Sequence, residues 1–483
     1  MNVKQYISYR AGGDVVQKEK EIPVTLEADE PRYIESDFVN LYPQFLYQEI
    51  EGFGGAMTGT SAYLYNRMDP ETRKKALKEW FVDYNYRFVR VSLDSCDYSL
   101  EEYQAVEDPI ADPELKTFSI KKDQEEILPM LKEAIAIAKH PISVLVSPWS
   151  PPKQWKTNPI KPSFPGMANN PFFASFDYDH PNRNRGGSLK PEYYGSWAKY
   201  VVKFIQAYLE EGIPVTMVTI QNEPNSATPW DSCQWTSEQE KTYLRDFLYP
   251  EMKKAGLTEK VGIFIWDHNK ERTLERACDI LDADTLPMVA GIAFHGYTGD
   301  HFDQIQKLTE LFPGKTLMQS ELCGLHRPGR AGMPRFGEFV KETPESVEYD
   351  DAILYAHDLI GNLNAGMNRW IDWNLIVDEE GGPRHVAGGF TAATIAAEDG
   401  TYRKDLTYYY IGHFAKYILP GAKRMLVSKC DDKTDIVAAK NPDGTIAVVV
   451  LNRGDRDTGY VLRWNGNLSR IHFPAHSIST LIL

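Results

Sequence analysis

Two glutamates stand where a run of apolar residues gives way to polar ones. The run PVTMVTIQNEP (214–224) begins like a buried β-strand and ends on an amide pair and Glu223 before a proline, and Glu321 has a similar place in KTLMQSELCG (315–324). Two carboxyl groups that face each other, one protonated and one ionised, can cleave a glycosidic bond. The acid protonates the leaving oxygen, and the carboxylate attacks the anomeric carbon or activates water. A single glutamate at a strand end is more often a cap or a salt-bridge partner, so the hypothesis depends on the pair.

Eight short runs of this kind recur between residues 49 and 378, and most are continuously apolar rather than alternating. Such runs are typical of a parallel sheet covered on both faces. They are EIEGFGGA (49–56), RFVRVSLDS (87–95), PISVLVSPW (141–149), PVTMVTIQNE (214–223), KVGIFIWDHN (260–269), VAGIAFHGY (289–297), KTLMQSELCG (315–324) and NRWIDWNLIVD (368–378). With helical stretches between them, eight units predict an α/β fold, a (β/α)8 TIM barrel. A doubly wound open sheet is the alternative, but the number of units and the lack of a G-x-G-x-x-G motif disfavour it.

The stretches between these runs carry helix start and stop signals. Apolar residues with helical spacing cover 123–140 and 190–212. Asp69, which precedes a proline, predicts an N-cap, and Thr236 with Gln239 predicts a capping box. Four glycines stand where a helix commonly ends in a left-handed residue. These are Gly212, Gly256, Gly314 and Gly366.

In a barrel of this kind the functional site lies at the carboxyl ends of the strands. The ends of the predicted strands carry carboxylates, tryptophans, an amide, histidines and a tyrosine, and none of them carries a lysine. They are Asp94, Cys96, Asp97, Ser147, Pro148, Trp149, Asn222, Glu223, Trp266, Asp267, His268, His295, Tyr297, Glu321, Cys323, Trp370, Asp372, Trp373 and Asn374. Indole rings cover the apolar C–H faces of a pyranose, and carboxylates and amides bond its hydroxyls. The strand ends therefore predict a sugar pocket.

The sequence pattern changes near residue 405, where short predicted strands joined by turns replace the alternation of strands and helices. One hairpin is marked by the Asn-Pro-Asp-Gly turn at 441–444. We predict N-terminal strands in 1–48, the barrel in 49–404 and a β-sandwich side domain in 405–483. The N-terminal strands are expected to pair with the C-terminal ones in a single composite side domain.

Several motifs occur together in one order. They are EGFGGAMTGTSA, RVSLDSCDYS, LVSPWSPPKQWKTN, TIQNEPNS, AFHGY, QSELCG, WIDWNLIVDEEGGP and VVVLNRG, spread from residue 51 to residue 454. Together they resemble glycoside hydrolase family 30, the family of glucocerebrosidase-like retaining β-glycosidases of clan A. Any one motif alone, such as N-E-P, is a weak signal.

The resemblance implies a role for each matching residue. Glu223 matches the acid/base and Glu321 the nucleophile of a double displacement through a covalent glycosyl-enzyme. Arg90 matches an arginine that holds the carboxylates of the pocket. The residues that match sugar contacts, or that lie beside the nucleophile, are Asp97, Trp149, Asn222, His295, Tyr297, Trp373 and Asn374. We also expect the charge of Glu321 to raise the pKa of Glu223. Asp267 and His268 fit either a supporting role or that of satisfied polar groups.

The composition limits the classes of binding partner that are expected. The chain has 483 residues and a net charge of −15, which disfavours nucleic acid and anionic membranes as partners. Its five cysteines have no C-x-x-C spacing, and no signal segment or long apolar run is visible. We therefore expect reduced thiols, a cytoplasmic location, no cofactor and no metal. His472 and His476, although four residues apart, are not expected to bind a metal. A homo-oligomer remains open.

The predicted activity is that of an exo-β-glycosidase on small β-glucosides. The same family resemblance leaves β-xylosides, β-fucosides and β-1,6-glucans open as substrates. A carbohydrate-binding protein without turnover is the alternative class, which the two intact carboxylates disfavour. We also propose that the stretch 159–187, which follows the third barrel strand, shapes the leaving-group side of the pocket or contacts another subunit.

Overall fold

The computed structural model describes residues 2–26, 37–157, 186–228, 230–324, 344–386, 389–429 and 431–483. Four strands precede the barrel: β1 (Asn2–Ala11), β2 (Asp14–Pro23), β3 (Thr25–Leu26) and β4 (Phe38–Ile50). The functional expectation for 159–187 falls almost wholly on residues outside the described ranges.

Eight parallel strands then close into a barrel in chain order. They are β5 (Gly52–Ala56), β6 (Phe88–Leu93), β7 (Ser143–Pro148), β8 (Val215–Thr219), β9 (Gly262–Asn269), β10 (Gly291–His295), β11 (Thr316–Glu321) and β12 (Arg369–Asn374). Each lies within one of the eight predicted runs, so the predicted (β/α)8 barrel is confirmed. The fourth run ends earlier than predicted, because β8 stops at Thr219 and the residues up to Glu223 form its following turn.

Helices surround the barrel. They are α1 (Gly59–Arg67), α2 (Pro70–Lys78), α3 (Lys121–Glu125), α4 (Ile127–Ile137), α5 (Tyr194–Glu210), α6 (Ser237–Tyr243), α7 (Tyr249–Lys254), α8 (Thr273–Ile280), α9 (Phe302–Leu311), α10 (Pro344–Ala365) and α11 (Leu406–Ala415). A π-helical turn extends α2 over Glu79–Asp83, and another joins α6 to α7 over Leu244–Leu248.

The predicted helix signals are confirmed. Asp69 accepts hydrogen bonds from two first-turn amides of α2, and Thr236 and Gln239 form both halves of a capping box on α6. The four predicted glycines all have positive φ, between 69° and 117°. The single helix predicted over 123–140 is broken instead at Glu126, so α3 and α4 are separate.

The barrel interior holds an apolar layer that supports the site. Seven strands contribute one buried side chain each to a cluster of its own: Phe88, Leu145, Met217, Phe264, Ala293, Met318 and Ile371. The eighth strand, β5, is GFGGA and contributes none. A Cβ on Gly54 would lie 2.0 Å from the carbonyl oxygen of Phe88, so only glycine fits where β5 meets β6.

The remaining strands form a small sheet and the side domain. The small sheet contains β13 (Val377–Asp378), β14 (Thr394–Ala396) and β15 (Tyr402–Lys404). The side domain adds β16 (Ala422–Val427), β17 (Thr434–Lys440), β18 (Ile446–Asn452), β19 (Thr458–Trp464), β20 (Asn467–Phe473) and β21 (Ser477–Ile482).

The side domain is composite, as predicted. β1 pairs with β21, and β4 pairs with both β16 and β19, so strands from the first and last parts of the chain belong to one ten-stranded sheet. A separate core that includes Val3, Val39, Val448 and Trp464 holds these strands together. The range predicted as sandwich opens on α11, which contacts α10 of the barrel, and its strands begin at Ala422.

None of the described helices is long and apolar enough to cross a lipid bilayer. The four cysteines that the structure describes are free thiols, and three of them, Cys96, Cys233 and Cys323, are buried.

Candidate active site

A polar layer lies directly above the apolar layer of the barrel. Side chains two residues apart on a strand point to the same side, so the residue two positions after each residue of the apolar layer, here called an apolar plug, is expected to face inward. β9 is the exception, because a register shift turns Asp267 inward instead of Trp266, which is two positions after Phe264. On the other six strands those residues are Arg90, Ser147, Thr219, His295, Ser320 and Trp373. All six are buried. The barrel thus changes from hydrocarbon to hydrogen-bonding groups within one layer, at the carboxyl ends of its strands.

Asp267 is the centre of this layer. One of its carboxylate oxygens accepts hydrogen bonds from Arg90 at 2.9 Å, Ser147 at 3.1 Å and Thr219 at 2.7 Å. The other oxygen accepts from Ser320 and lies 3.1 Å from Nε2 of His295. Burial raises the pKa of Asp267, but Arg90, His295 and Ser320 outweigh burial and leave that pKa well below its usual range. Asp267 is therefore a fixed anion.

Backbone strain aims Asp267 into the barrel. Trp266 and Asp267 both have positive φ, at 74° and 55°, where the register between β9 and β10 shifts. A bulge of this kind turns a side chain that would otherwise face outward. Asp94 and Glu223, at two other strand ends, also have positive φ, at 62° and 49°. Strained non-glycine residues commonly cluster at functional sites.

Glu223 and Glu321 meet above this layer, as predicted. An oxygen of each carboxylate and a ring nitrogen of His295 all lie within 4.8 Å of one another. The amide of Glu223 donates to the carbonyl of Asp267 at 3.0 Å, which fixes the strained turn after β8. Only 7% of the Glu321 surface is exposed.

Glu321 is held by two donors. Arg90 donates to its Oε2, and the hydroxyl of Tyr297 donates to its Oε1 at 2.8 Å. Arg90 also donates to the Asn222 side-chain carbonyl at 2.8 Å, which leaves the amide NH2 of Asn222 turned toward other partners. The predicted role of Arg90 as the residue that holds the pocket carboxylates matches these contacts. Its guanidinium is completely buried.

The predicted tryptophans lie beside the same arginine. The rings of Trp149 and Trp373 stack with centroids 5.2 Å apart, and Arg90 lies 4.7 Å from the Trp149 ring centroid. Tyr98 meets Trp373 edge to face. These rings belong to one apolar cluster that also contains Cys96 and Cys323, so both thiols serve as packing groups.

The two other predicted sugar contacts are less central. Asp97 lies in an ion pair with Arg384 at 3.0 Å. Asn374 accepts a hydrogen bond from the hydroxyl of Thr58 at 2.6 Å, at the junction between the ends of β12 and β5. Among the described residues Asn374 forms no hydrogen bond to either glutamate.

The prediction that the pKa of Glu223 is raised is wrong. Burial raises its pKa, but His268, the hydrogen bond from His295 and the charge of Arg90 outweigh burial, so the pKa of Glu223 is lowered rather than raised. Burial lowers the pKa of His295, but Glu321, Asp267 and Glu223 together raise it to about 9. The proton of the His295–Glu223 pair therefore resides on the imidazole, whose Nδ1 lies 3.3 Å from Oε1 of Glu223.

His268 behaves differently from His295. Its Nε2 lies 3.8 Å from the Glu223 carboxylate and 3.1 Å from the Ser226 hydroxyl. Burial lowers the pKa of His268 to about 4, so this imidazole is neutral at physiological pH, and its charge lowers the pKa of Glu223 only in the acid range where His268 is protonated. Its structure fits the supporting role that the sequence left open.

Glu223, His295 and Glu321 are close enough together to be considered as metal ligands. His295 does not fit that use, because both of its ring nitrogens face carboxylates and its pKa of about 9 keeps it protonated. A protonated imidazole has no lone pair for a metal. The donor set fits proton transfer better. His472 and His476 lie apart in the side domain, where each pairs with its own aspartate.

Three residues of this site, Thr219, Ser320 and Arg384, were not predicted from the sequence, and Ser147 was named only as a strand end. Ser147 and Thr219 bond Asp267 from one side, and Ser320 bonds it from the other. Two-residue periodicity from the apolar plugs indicates all three of these hydroxyl side chains. Arg384, which pairs with Asp97, comes from the loop after β13 and had no such signal.

Comparison with known proteins agrees with this geometry. Residues 50–176 and 180–418 match the glycosyl hydrolase family 30 TIM-barrel domain, and residues 421–481 match the glycosyl hydrolase family 30 beta sandwich domain. The chain belongs to glycosyl hydrolase family 30 and is a glycoside hydrolase.

Three similar proteins illustrate the family. Lysosomal acid glucosylceramidase of Mus musculus is 30% identical over 440 residues, which is 87% of this chain and 78% of that protein. The crystal structure of SrfJ from Salmonella typhimurium has a TM-score of 0.85 and 30% identity, and the match covers 100% of this chain and 99% of SrfJ. The endo-beta1,6-glucanase BT3312 has a TM-score of 0.80 and 26% identity, with coverage of 100% and 99%.

Proposed function

We propose that this protein is a retaining exo-β-glycosidase that hydrolyses β-D-glucosides through a covalent glycosyl-enzyme. The observation that carries the proposal is the approach of Glu223 and Glu321, whose carboxylate oxygens come within 4.8 Å. Retaining enzymes have their carboxyl groups about 5–5.5 Å apart, whereas inverting enzymes need about 6.5–9.5 Å to admit a water. The glucosylceramidase name of the mouse relative supports a β-glucoside as the substrate.

In the first step the Glu321 carboxylate attacks the anomeric carbon while the bond to the leaving oxygen breaks. The leaving oxygen takes a proton from Glu223, which receives it from His295 through their hydrogen bond. Bound substrate excludes water from the site, and this favours transfer of the proton from His295 to Glu223. The reason is that an imidazolium and a carboxylate are less stable in a medium of low dielectric constant than a neutral imidazole and a carboxylic acid. Tyr297 and Arg90 keep Glu321 oriented for attack.

In the second step water enters where the leaving group was. Glu223 and His295 accept a proton from that water as its oxygen attacks the anomeric carbon, and the Glu321 carboxylate departs. The pair has then regained the proton that it gave away, so the cycle closes without any other proton donor. We assign the amide of Asn222 to the sugar 2-hydroxyl, since its side-chain carbonyl is engaged by Arg90 and its NH2 group is left to donate.

The test replaces each carboxyl group without changing its shape. Glu321→Gln is expected to lower the hydrolysis of nitrophenyl β-glucoside by about 10⁴-fold or more, while the variant still binds the sugar. Glu223→Gln is expected to slow substrates with poor leaving groups far more than nitrophenyl substrates, because only the former need the acid. Glu251→Gln, on α7 and remote from the polar layer, is the matched control and should retain full activity. Near-full activity in Glu321→Gln would falsify the assignment of the nucleophile.

A second candidate is endo action on β-1,6-glucan, which the name of BT3312 favours. Nitrophenyl β-glucoside, β-xyloside, β-fucoside and β-galactoside identify the sugar that the pocket accepts. Digestion of β-1,6-glucan separates the two modes, since exo action releases glucose from the start and endo action releases oligosaccharides first. Binding without any turnover across these substrates would favour the carbohydrate-binding alternative instead.

A further inference from the structure

Arg384 is a buried arginine that the proposed chemistry leaves without a role. Its side chain is 2% exposed, and its Nη1 lies 3.0 Å from Oδ2 of Asp97. The guanidinium also lies over the ring of Tyr98, 4.6 Å from the centroid. Tyr98 in turn contacts Trp373 edge to face. Arg384 is thus connected to the aromatic wall of the pocket through Tyr98.

The loop that carries Arg384 is fastened to the loop after β6 at several points. The amide of His385 donates to the carbonyl of Ser99 at 2.9 Å, and the amide of Phe390 donates to the hydroxyl of Tyr98 at 2.8 Å. The His385 ring lies 3.1 Å from an oxygen of Asp231, which belongs to the loop after β8. Three loops therefore meet around Asp97, and its position is set by contacts from outside its own loop.

Asp97 keeps one carboxylate oxygen available. All of its hydrogen bonds within the described chain go to Oδ2, through Arg384, and Oδ1 accepts none of them. The charges of Glu321 and Glu223 both act on Asp97, so its carboxylate shares their pocket. A charge-assisted hydrogen bond to one oxygen restricts the orientations of this buried carboxylate to those in which Oδ2 faces Arg384 and Oδ1 faces away from it.

We propose that Arg384 is the positioning residue that makes Asp97 a specificity determinant, by aiming its free oxygen at one hydroxyl of the terminal sugar other than the 2-hydroxyl. This inference rests on the proposed function for the identity of the sugar, and it adds Arg384 as the group that sets which hydroxyl is read. Lysine cannot replace arginine fully here, because it lacks the planar guanidinium that lies over Tyr98 while it bonds Asp97.

The test measures binding, so that it does not depend on turnover. Methyl β-glucoside and its 2-, 3-, 4- and 6-deoxy derivatives are titrated by calorimetry into the Glu321→Gln protein with and without Arg384→Gln. With Arg384 present, the deoxy sugar that lacks the partner hydroxyl is expected to bind about 10–100-fold more weakly, as for a hydrogen bond to a charged group. With Arg384→Gln, the same deletion is expected to cost less than about 3-fold.

Two further variants keep the result interpretable. Asp97→Asn, which removes the other member of the pair, should lose sensitivity to the same hydroxyl, and Arg384→Lys should fall between Arg384→Gln and the parent. His385→Gln removes the contact between the same loop and Asp231. It should weaken the binding of methyl β-glucoside and of every deoxy derivative by the same factor, without coupling to one hydroxyl. Arg245→Gln removes an arginine from an exposed pair with its neighbour Asp246 and should change nothing.

The pH dependence supplies a readout that a purely structural role would not move. Burial raises the pKa of Asp97 to about 7 although Arg384 lowers it. The ionisable groups around Asp97 are Arg384, His385, Asp231, Glu223, Glu321, Cys96 and Tyr98. Binding through an ionised Asp97 is lost as the pH falls through this pKa, and without Arg384 the loss should begin at a higher pH.

The outcomes separate this inference from the proposed function. If Arg384→Gln leaves the cost of every hydroxyl deletion unchanged, Arg384 is a structural residue and the inference is wrong. If the coupling is present but the wild-type protein hydrolyses no β-glycoside, the proposed function fails while the assignment of Arg384 stands. If only the 2-deoxy sugar shows coupling, Asp97 does not read the hydroxyl proposed here.

Discussion

Individual charges in this site are balanced by neighbours rather than by water. Arg90 contacts Asp267 and Glu321, and His295 contacts Asp267 and Glu223. Burying any one of these charges alone would be costly. Arranged in this way, two cations and three carboxyl groups retain a single mobile proton between His295 and Glu223. The chemistry proposed for the site depends on that proton.

Removing His295 should therefore change the pH profile more than the fold. In wild type the basic limb of kcat/KM is expected near pH 9, where the pair loses its proton. In His295→Gln, Glu223 must hold the proton alone, and the basic limb should move by at least two pH units toward acid. The profile is measured with a nitrophenyl glucoside and with an alkyl glucoside, whose leaving group depends more strongly on the acid.

His268→Gln is the matched control for this prediction. His268 also lies near Glu223, but its pKa of about 4 means that it is already neutral above that pH. Its replacement should leave the basic limb where it is. An unchanged basic limb in His295→Gln, or equal shifts in both variants, would mean that His295 does not store the proton.

The roles of some of these residues could be predicted from the sequence more readily than those of others. Glu223 and Glu321 could be predicted from strand ends, because a barrel brings all eight ends to one face. Ser147, Thr219 and Ser320 could have been predicted from alternation along the strand. The inward position of Asp267 could not, because it depends on a bulge between β9 and β10 that exists only once the strands pair. The lowered pKa of Glu223 likewise depends on contacts with residues distant in sequence.

At the scale of elements, the glycines of β5 allow the barrel to close. The hypothetical Cβ of Gly54 points at the backbone of Phe88 and that of Gly55 points at the side chain of Leu375, 2.5 Å from its Cδ2. Backbone in a barrel strand cannot withdraw without breaking hydrogen bonds to its neighbours, whereas a leucine side chain can change rotamer. The two glycines thus differ in what surrounds them and not in their own chemistry.

We predict that Gly54→Ala and Gly55→Ala have different effects. Gly55→Ala should destabilise the fold by about 1–3 kcal/mol, which is typical of overpacking. Gly54→Ala should be more severe, with little soluble protein or a much lower melting temperature, because β5 and β6 cannot approach. Soluble yield and thermal unfolding of the two variants decide this. Equal melting temperatures for both variants would show that the backbone of β6 can shift as easily as the side chain of Leu375.

The positions of the elements were largely predictable from the sequence, and the one break that was missed has a local signal of its own. The eight runs gave the barrel strands because continuous apolar residues have few other stable uses in a chain of this length. The break at Glu126 between α3 and α4 lies inside a continuous helical pattern. Pro129 lies in the first turn of α4, where its ring and its missing N–H exclude a helical hydrogen bond to the carbonyl of Glu125, so the sequence does carry a signal for this break. The apolar periodicity continues across the break and does not reveal it.

At the scale of the whole molecule, the side domain joins the two ends of the chain and rests on the barrel through α10. His357 on that helix connects three parts. Its Nδ1 lies 2.8 Å from Asp435 of β17, and its Nε2 lies 3.1 Å from Asp300, which follows β10. Arg453 and Lys429 also face Asp435. Burial lowers the pKa of His357, but the two aspartates raise it to about 9.

This raised pKa predicts that attachment of the side domain is pH-dependent. A group whose folded pKa exceeds its unfolded value stabilises fully below the unfolded pKa, about 6.5 for histidine, and loses that effect as the pH rises through the folded pKa. The stabilisation is at most about 3 kcal/mol. The melting temperature of wild type should exceed that of His357→Gln most at pH 6, and the difference should shrink by pH 9.5.

His472→Gln is the control, since His472 pairs with Asp457 on an exposed surface and joins no two parts of the fold. Its melting temperature should follow that of wild type at every pH. A constant difference between wild type and His357→Gln would mean that the imidazole acts only through its shape and neutral hydrogen bonds. A difference that grows with pH would reverse the sign of the linkage and remove His357 as the charged link between the barrel and the side domain.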